Sequence, residues 1–172
     1  HQMSGGMRQR VMIAEIGQFA LALALVTALL QASLPLIGAA RGVPAWVAVA
    51  QPAALVQLAL MLIAFGALTQ AYLTSDFSVL NVAQNSHSLK PLIYKISGVW
   101  GNHEGSLVLW VLILALFGAM VASFGNNLPP TLKARVLSVQ AMIAVGFLAF
   151  MLFSSNPFLR VFPAPQDGNG LN

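Results

Sequence analysis

The residues best suited to chemistry lie around one predicted helix start: Trp100, His103, Glu104 and Trp110. His103 and Trp110 are seven residues apart, so a helix would place them on one face. Two interpretations are open. In the first, Asn102 and Glu104 cap a membrane helix, and the tryptophans anchor it in the interface. In the second, Trp100, His103, Glu104 and Trp110 form a polar and aromatic platform that borders a flat cofactor or a peptide.

The histidines form no established catalytic or metal motif. His103 and Glu104 begin like a zinc-protease motif, but that motif needs a second histidine four residues later, where Leu107 stands. His87 lies among small polar residues, which is typical of a solvated loop histidine. Two loop histidines could ligate a haem iron, although their spacing does not indicate it. The sequence has no cysteine, which excludes thiolate metal sites. No catalytic residue and no metal ligand is therefore assigned.

The composition predicts a membrane protein. Hydrophobic residues make up 58% of the 172 residues and charged residues only 7%, whereas soluble domains carry roughly 25% charged residues. These values argue against a soluble enzyme and against a disordered chain. Eight basic residues stand against four acidic ones, and they are scattered. Nucleic acid is therefore not an expected partner.

Four apolar runs are long enough to cross a membrane as helices, because a bilayer core of about 30 Å needs about 20 apolar residues. We therefore predict an all-α integral membrane protein with one domain, 12–172. Its spans are expected at about 13–37, 53–72, 105–124 and 132–153. Residues 1–11 resemble a tag, a linker or another non-native extension. Glu15 lies at the entry of the first span and is expected to pair with Arg8 or Arg10.

The long loop 73–104 is predicted to be extracytoplasmic. Arg41, Lys133 and Arg135 lie in the two short loops, and the other side holds Lys90, Lys95 and Arg160, mostly in the long loop, together with Arg8 and Arg10 of the extension. Because the positive-inside rule weighs short loops most, it slightly favours a cytoplasmic position for the two short loops. Four spans put both termini on one side, so the termini would be periplasmic like the long loop. A connection of this length is usually functional or partly helical.

Several segments resemble the CcmF/NrfE family of cytochrome c-type biogenesis proteins, which includes the membrane subunit of haem lyase. The most specific is Trp-Gly-Asn-His-Glu-Gly-Ser at 100–106, which fits the family's Trp-Gly-x-His-Glu-Gly-Ser block. The resemblance runs in order from residue 12 to residue 172. Further segments that carry it are 12–17, 76–80, 82–86 and 154–158.

This resemblance implies a part in cytochrome c biogenesis. The family's haem lyase attaches haem to the thiols of a Cys-x-x-Cys-His motif in apocytochrome c. The reaction takes place on the outer face of the bacterial inner membrane, or of the mitochondrial inner membrane. Haem is the implied cofactor. The implied partners are the membrane, the haem chaperone CcmE, CcmH-type thiol proteins, apocytochrome c and, in a split protein, the rest of the lyase.

The resemblance also sets limits on this chain. Family members are several times longer, and their haem-ligating histidines lie beyond the matched region. No haem ligand is therefore carried onto His87 or His103. The chain is expected to be an amino-terminal four-helix piece that neither catalyses the reaction nor ligates haem alone.

Two other functions are compatible with the residues. One is a small membrane transporter or channel subunit, which would use polar side chains within the spans. Those side chains are Gln18, Thr27, Gln31, Gln57 and Gln140. The other is a passive helical scaffold, which would bundle through a stripe of small residues. That stripe comprises Gly17, Ala20, Ala24 and Ala28.

Overall fold

The computed structural model describes residues 5–170, so residues 1–4 of the predicted extension and the last two residues lie outside it. In this part the chain forms helices and no extended strand. Four helical segments are long and apolar enough to cross a membrane, which confirms the predicted all-α membrane fold. The helices are α1 (Gly5–Arg41), α2 (Pro44–Val47), α3 (Ala50–Leu73), α4 (Leu80–Asn85), α5 (Leu92–Gly98), α6 (His103–Phe124) and α7 (Pro130–Phe153).

The observed helix ends show where local sequence controls the fold. Asn102 precedes α6, and its side chain accepts a hydrogen bond from the Gly105 N–H. Pro130 occupies the first position of α7, where its missing N–H costs no helical hydrogen bond. α1 is longer than its predicted span, since it begins at Gly5 and continues through Pro35 to its last residue. The described part of the predicted extension is therefore helical.

The four long helices pack as a bundle in which small side chains fill the helix contacts. α1 packs against α3 and α7, and α6 packs against α3 and, less extensively, against α7. The small-residue stripe of α1 is buried, and Gly17 lies directly against Ala67 and Phe158. The stripe is therefore an internal seam of the bundle. Large apolar residues such as Phe19 and Phe117 are exposed on the outside, where membrane hydrocarbon would cover them.

One end of the bundle is covered by the α3–α6 loop and by the chain after α7, and we call this the loop end. Val79 and Arg160 form an isolated antiparallel bridge. Leu80 N–H donates to the Leu159 carbonyl at 2.8 Å, and Val161 N–H donates to the Ser78 carbonyl at 2.8 Å. The loop and the C-terminal tail are thus joined by main-chain hydrogen bonds.

Arg160 also ties the tail to the start of α1. Its Nη2 donates to the Val11 carbonyl at 2.6 Å and lies 3.9 Å from a Glu15 carboxylate oxygen. The partner of Glu15 is therefore Arg160, and the expectation of Arg8 or Arg10 is wrong. The reason is that the returning tail brings a distant arginine closer than the basic residues of the same helix.

Candidate functional site

A closed set of hydrogen bonds holds the start of α6 against the loop. The Tyr72 hydroxyl donates to Asn81 Oδ1 at 2.5 Å. Asn81 Nδ2 donates to Asn102 Oδ1 at 2.8 Å and to Glu104 Oε2 at 3.2 Å. Asn102 Nδ2 completes the ring by donating to the Tyr72 hydroxyl at 2.9 Å. We call Tyr72, Asn81, Asn102 and Glu104 the polar ring, and it joins α3, α4 and α6.

Asn102 performs two further tasks at this junction. Its Oδ1 accepts from Gly105 N–H at 2.8 Å, which satisfies an N–H group that the first helical turn leaves without a partner. Its Nδ2 also donates to the Gly98 carbonyl at 2.8 Å, at the end of α5. One side chain therefore fixes both the last turn before α6 and the first turn within it.

Gly105 is the position where the backbones approach most closely. A Cβ atom there would lie 2.8 Å from the Val99 carbonyl carbon and would overlap its oxygen. The glycine is therefore required for packing, and it allows α6 to begin directly against the end of α5. Three residues of the 100–106 block, namely Asn102, Glu104 and Gly105, thus have structural contacts that explain their types.

Other residues of the same region point outwards. His103 is exposed, and its ring makes a T-shaped contact with the Phe150 ring, with the centroids 6.1 Å apart and the planes at 86°. Trp110 is 63% exposed and lies over Phe147 at a centroid distance of 6.4 Å. We call His103, Trp110, Phe147 and Phe150 the outward face. It follows the seam between α6 and α7 near the loop end.

The structure separates the four residues singled out from the sequence. His103 and Trp110 lie on one helix face, as their spacing predicts. Glu104 belongs to the polar ring instead, because its carboxylate turns towards Asn81. Trp100 is 42% exposed and precedes α6, and within residues 5–170 no ring contact joins it to the outward face.

Sequence reasoning missed Tyr72 and Asn81, which complete the polar ring. Tyr72 is fully buried and Asn81 is nearly so. A tyrosine at the end of an apolar span can be read as an ordinary interfacial aromatic residue. The available signal was the polar run after the second span, which contains Asn81. Nothing in its local pattern indicated that the two side chains would meet Asn102.

His87 lies in a different cluster, where the tail meets the loop. Its Nε2 lies 3.3 Å from Asp167 Oδ2. The hydroxyl and the N–H of Ser88 donate to the Asp167 carboxylate at 2.6 and 2.9 Å. The Ser88 hydroxyl makes the largest contribution, followed by the Ser88 N–H, and together they lower the Asp167 pKa to about 2. We call His87, Ser88 and Asp167 the tail clasp.

Residues 5–170 contain no group of three or more histidine, cysteine or acidic side chains that could hold a metal ion.

Comparisons with known proteins agree with this architecture. Residues 100–172 match the family described as Cytochrome C assembly protein. The cytochrome c-type biogenesis protein CycK of Rhizobium meliloti is 61% identical over 161 residues, which are 94% of this chain and 24% of that protein. The cytochrome c-type biogenesis protein ccl1 of Rhodobacter capsulatus is 60% identical over 161 residues, which are 94% of this chain and 25% of that protein.

A solved structure also shares the fold. The chain described as Cytochrome c Heme Lyase CcmF matches with a TM-score of 0.80 and 31% identity, over 85% of this chain and 24% of that chain. The present chain therefore spans about a quarter of the length of the relatives that it matches. Sequence and structure together show that the chain belongs to the CcmF/NrfE family of cytochrome c-type biogenesis proteins and matches their amino-terminal portion.

Proposed function

We propose that this chain forms a membrane-embedded part of a cytochrome c haem lyase and that its outward face borders the path of haem or apocytochrome c. The observation that carries this proposal is that some residues of the 100–106 block make contacts within the protein, whereas His103 in the same block is exposed. Asn102, Glu104 and Gly105 have structural contacts inside the molecule. His103 is exposed beside them, so a role outside the chain's own fold accounts for an imidazole at this position.

The family resemblance supports an extracytoplasmic position for the outward face, because the family attaches haem on the outer side of the membrane. The positive-inside rule counts basic residues and gives little weight to acidic ones. Arg41, Lys133 and Arg135 lie in the short connections at the opposite end of the bundle, and five basic residues lie at the loop end, which are Arg8, Arg10, Lys90, Lys95 and Arg160. The orientation proposed here therefore rests on the resemblance and on the two short connections. The loop end then faces the periplasm of a bacterial inner membrane, or the equivalent side of a mitochondrial one.

The residues of this chain are suited to contact one side of a haem group. They are less suited to enclose it. Trp100 and Trp110 expose 42% and 63% of their surfaces, so flat rings are available to a planar partner. His103 presents an imidazole between them in sequence, but we assign it no iron. Bound haem would supply the vinyl groups that react with the apocytochrome thiols. The chain itself contains no cysteine and donates neither thiol.

The chemical contribution proposed for this chain is positioning. Holding two reacting groups in the correct geometry supplies a large part of a rate enhancement. The polar ring fixes the start of α6, and the outward face is carried on that helix and on α7. The proposed partners are haem, a CcmE-type chaperone, CcmH-type thiol proteins, apocytochrome c and the remaining part of the lyase. We assign no bond-forming step to the residues described.

His103→Ala tests this proposal. His87→Ala is the comparison, because it removes a histidine outside the outward face; since that histidine belongs to the tail clasp, maturation is compared at equal membrane abundance. Within residues 5–170, His103 makes no hydrogen bond or ion pair, so its loss should leave the fold intact. The variants would be introduced into the native gene, and haem-stained holocytochrome c would be measured together with membrane abundance of the protein. We expect His103→Ala to lower holocytochrome several-fold at normal abundance, while His87→Ala keeps near-normal maturation. Unchanged maturation in His103→Ala would contradict the proposal. A parallel fall in abundance would indicate a structural role instead.

A further inference from the structure

Three glutamines from three different helices meet inside the apolar bundle. Gln31 of α1, Gln57 of α3 and Gln140 of α7 line one cavity, whose remaining walls are mainly alanine, valine and leucine. Gln31 and Gln57 are 3% and 4% exposed. Gln140 lies ten residues after Pro130, or about 15 Å along the helix axis. The cavity is therefore within the depth that membrane hydrocarbon covers.

Two of these glutamines already cross-link neighbouring helices. Gln31 Nε2 donates to the Leu137 carbonyl at 3.0 Å and joins α1 to α7. Gln140 Nε2 donates to the Leu114 carbonyl and joins α7 to α6. Each of these amide groups keeps a side-chain oxygen that is buried and has no partner within the described part of the protein.

Gln57 has the largest unmet hydrogen-bonding capacity. Its Nε2 and its Oε1 are both buried without a partner among the described residues. The cavity therefore collects three carbonyl-type oxygens, from Gln31, Gln57 and Gln140, and one amide donor. A buried polar group without a partner destabilises the fold, because it has lost its hydrogen bonds to water. Such groups in natural proteins are usually satisfied by ordered water when the protein supplies no partner.

The size and chemistry of the cavity match one water molecule. The volume in which the centre of a water-sized sphere fits is about 10 Å³, and about 10–15 Å³ of such space holds one water. We propose that this cavity binds a single structural water, which accepts a hydrogen bond from Gln57 Nε2 and donates to the side-chain oxygens of Gln31 and Gln140. The water then joins α3 to the helices that Gln31 and Gln140 already connect.

The same observations argue against a transported solute or a cation at this place. Three of the polar residues expected of a transporter do meet here, but the space is too small for more than one water. A sodium ion would require more oxygen ligands than three amide carbonyls provide. Among the described residues, no acidic residue lines the cavity, so no carboxylate is available to compensate a cation's charge.

A substitution at Gln57 tests the thermodynamic consequence. In the water-bound cavity, Gln57→Leu deprives Gln31 and Gln140 of their bridging partner, and the melting temperature in mild detergent should fall by about 3–8 °C. Gln70→Leu is the control, because Gln70 is exposed on the same helix and should change the melting temperature by less than about 1 °C. A higher melting temperature for Gln57→Leu would mean that no water is bound to the glutamine side chains, and it would overturn the proposal.

A direct measurement on the unmodified chain avoids dependence on the variant's folding. The protein would be labelled uniformly with ¹⁵N, and water-to-protein magnetisation transfer to side-chain and backbone amides would be recorded by NMR in lipid bilayers. We expect a water cross-peak at the Gln57 side-chain amide, while backbone amides of the neighbouring helical turn show none. Absence of the Gln57 cross-peak, or a direct hydrogen bond from Gln57 to another glutamine, would refute the bound water.

Discussion

Gly105→Ala should disturb the protein more than any other single-methyl change near the polar ring. A Cβ atom at this position would lie 2.8 Å from the Val99 carbonyl carbon, whereas ordinary contact begins at 3.4 Å. The first turn of α6 must then move by at least 0.6 Å (3.4 − 2.8), and by more to clear the oxygen. That movement pulls Gly105 N–H away from Asn102 Oδ1, a bond of 2.8 Å.

The expected cost follows from the hydrogen bonds that depend on this junction. Loss of the Asn102 cap costs about 1 kcal/mol. Weakening the two bonds from Asn102 to Tyr72 and from Asn81 to Asn102 costs about 1 kcal/mol each. The better helix propensity of alanine returns up to about 1 kcal/mol. The net loss of about 2 kcal/mol lowers the melting temperature by about 4–8 °C.

Gly146→Ala provides the matched control for this experiment. Gly146 lies within α7, and a Cβ atom there would meet nothing within 4 Å. The same methyl group should therefore leave the melting temperature unchanged or raise it slightly. Both variants would be melted in the same detergent and followed by far-ultraviolet circular dichroism. Equal melting temperatures for Gly105→Ala and Gly146→Ala would refute the reasoning about the α5–α6 junction.

Two further predictions concern the C-terminal tail. The Asp167 pKa is lowered from 3.8 to about 2, chiefly by the Ser88 hydroxyl and N–H. The ionised carboxylate therefore stabilises the tail clasp above pH 3.8, and this stabilisation is lost as the pH falls towards 2. The Ser88 amide chemical shift should titrate with a midpoint near 2, and a midpoint near 3.8 would contradict the clasp. Arg160→Leu removes the bond to the Val11 carbonyl, so the melting temperature should fall by about 2–4 °C. Glu15→Gln should cost less, because Glu15 is 68% exposed and exposed ion pairs contribute little; an equal loss would contradict this ranking.

The sequence was sufficient to predict those parts of the fold that depend on local composition. Long uncharged apolar runs identify the spans, because the bilayer sets both the length and the polarity of a crossing helix. The start of α6 was also readable, since Asn102 before a helix is a typical cap. His103 and Trp110 share a face for the same local reason, namely the period of the helix.

The contacts between distant residues that build the candidate site could not be predicted from local sequence patterns. The polar ring joins Tyr72, Asn81 and Asn102 through three separate elements, and the pairing of Glu15 with Arg160 depends on how the tail returns. The spacing of small residues along α1 correctly predicts a packing face, but it does not predict which helices pack there. α3 and α7 occupy that face within the chain itself. Tertiary packing determines each of these outcomes.

The bridge between Val79 and Arg160 has a consequence for the order of biosynthesis. Membrane helices are inserted as the chain leaves the ribosome, and Arg160 emerges only after α7 has been made. Until then Leu80 N–H has no carbonyl from Leu159 to bind, and the start of α1 lacks its arginine tether. The loop between α3 and α6 therefore lacks these contacts while α6 and α7 are synthesised. A nascent chain arrested before residue 160 would therefore expose that loop to an added protease, and release of the remaining residues would close it.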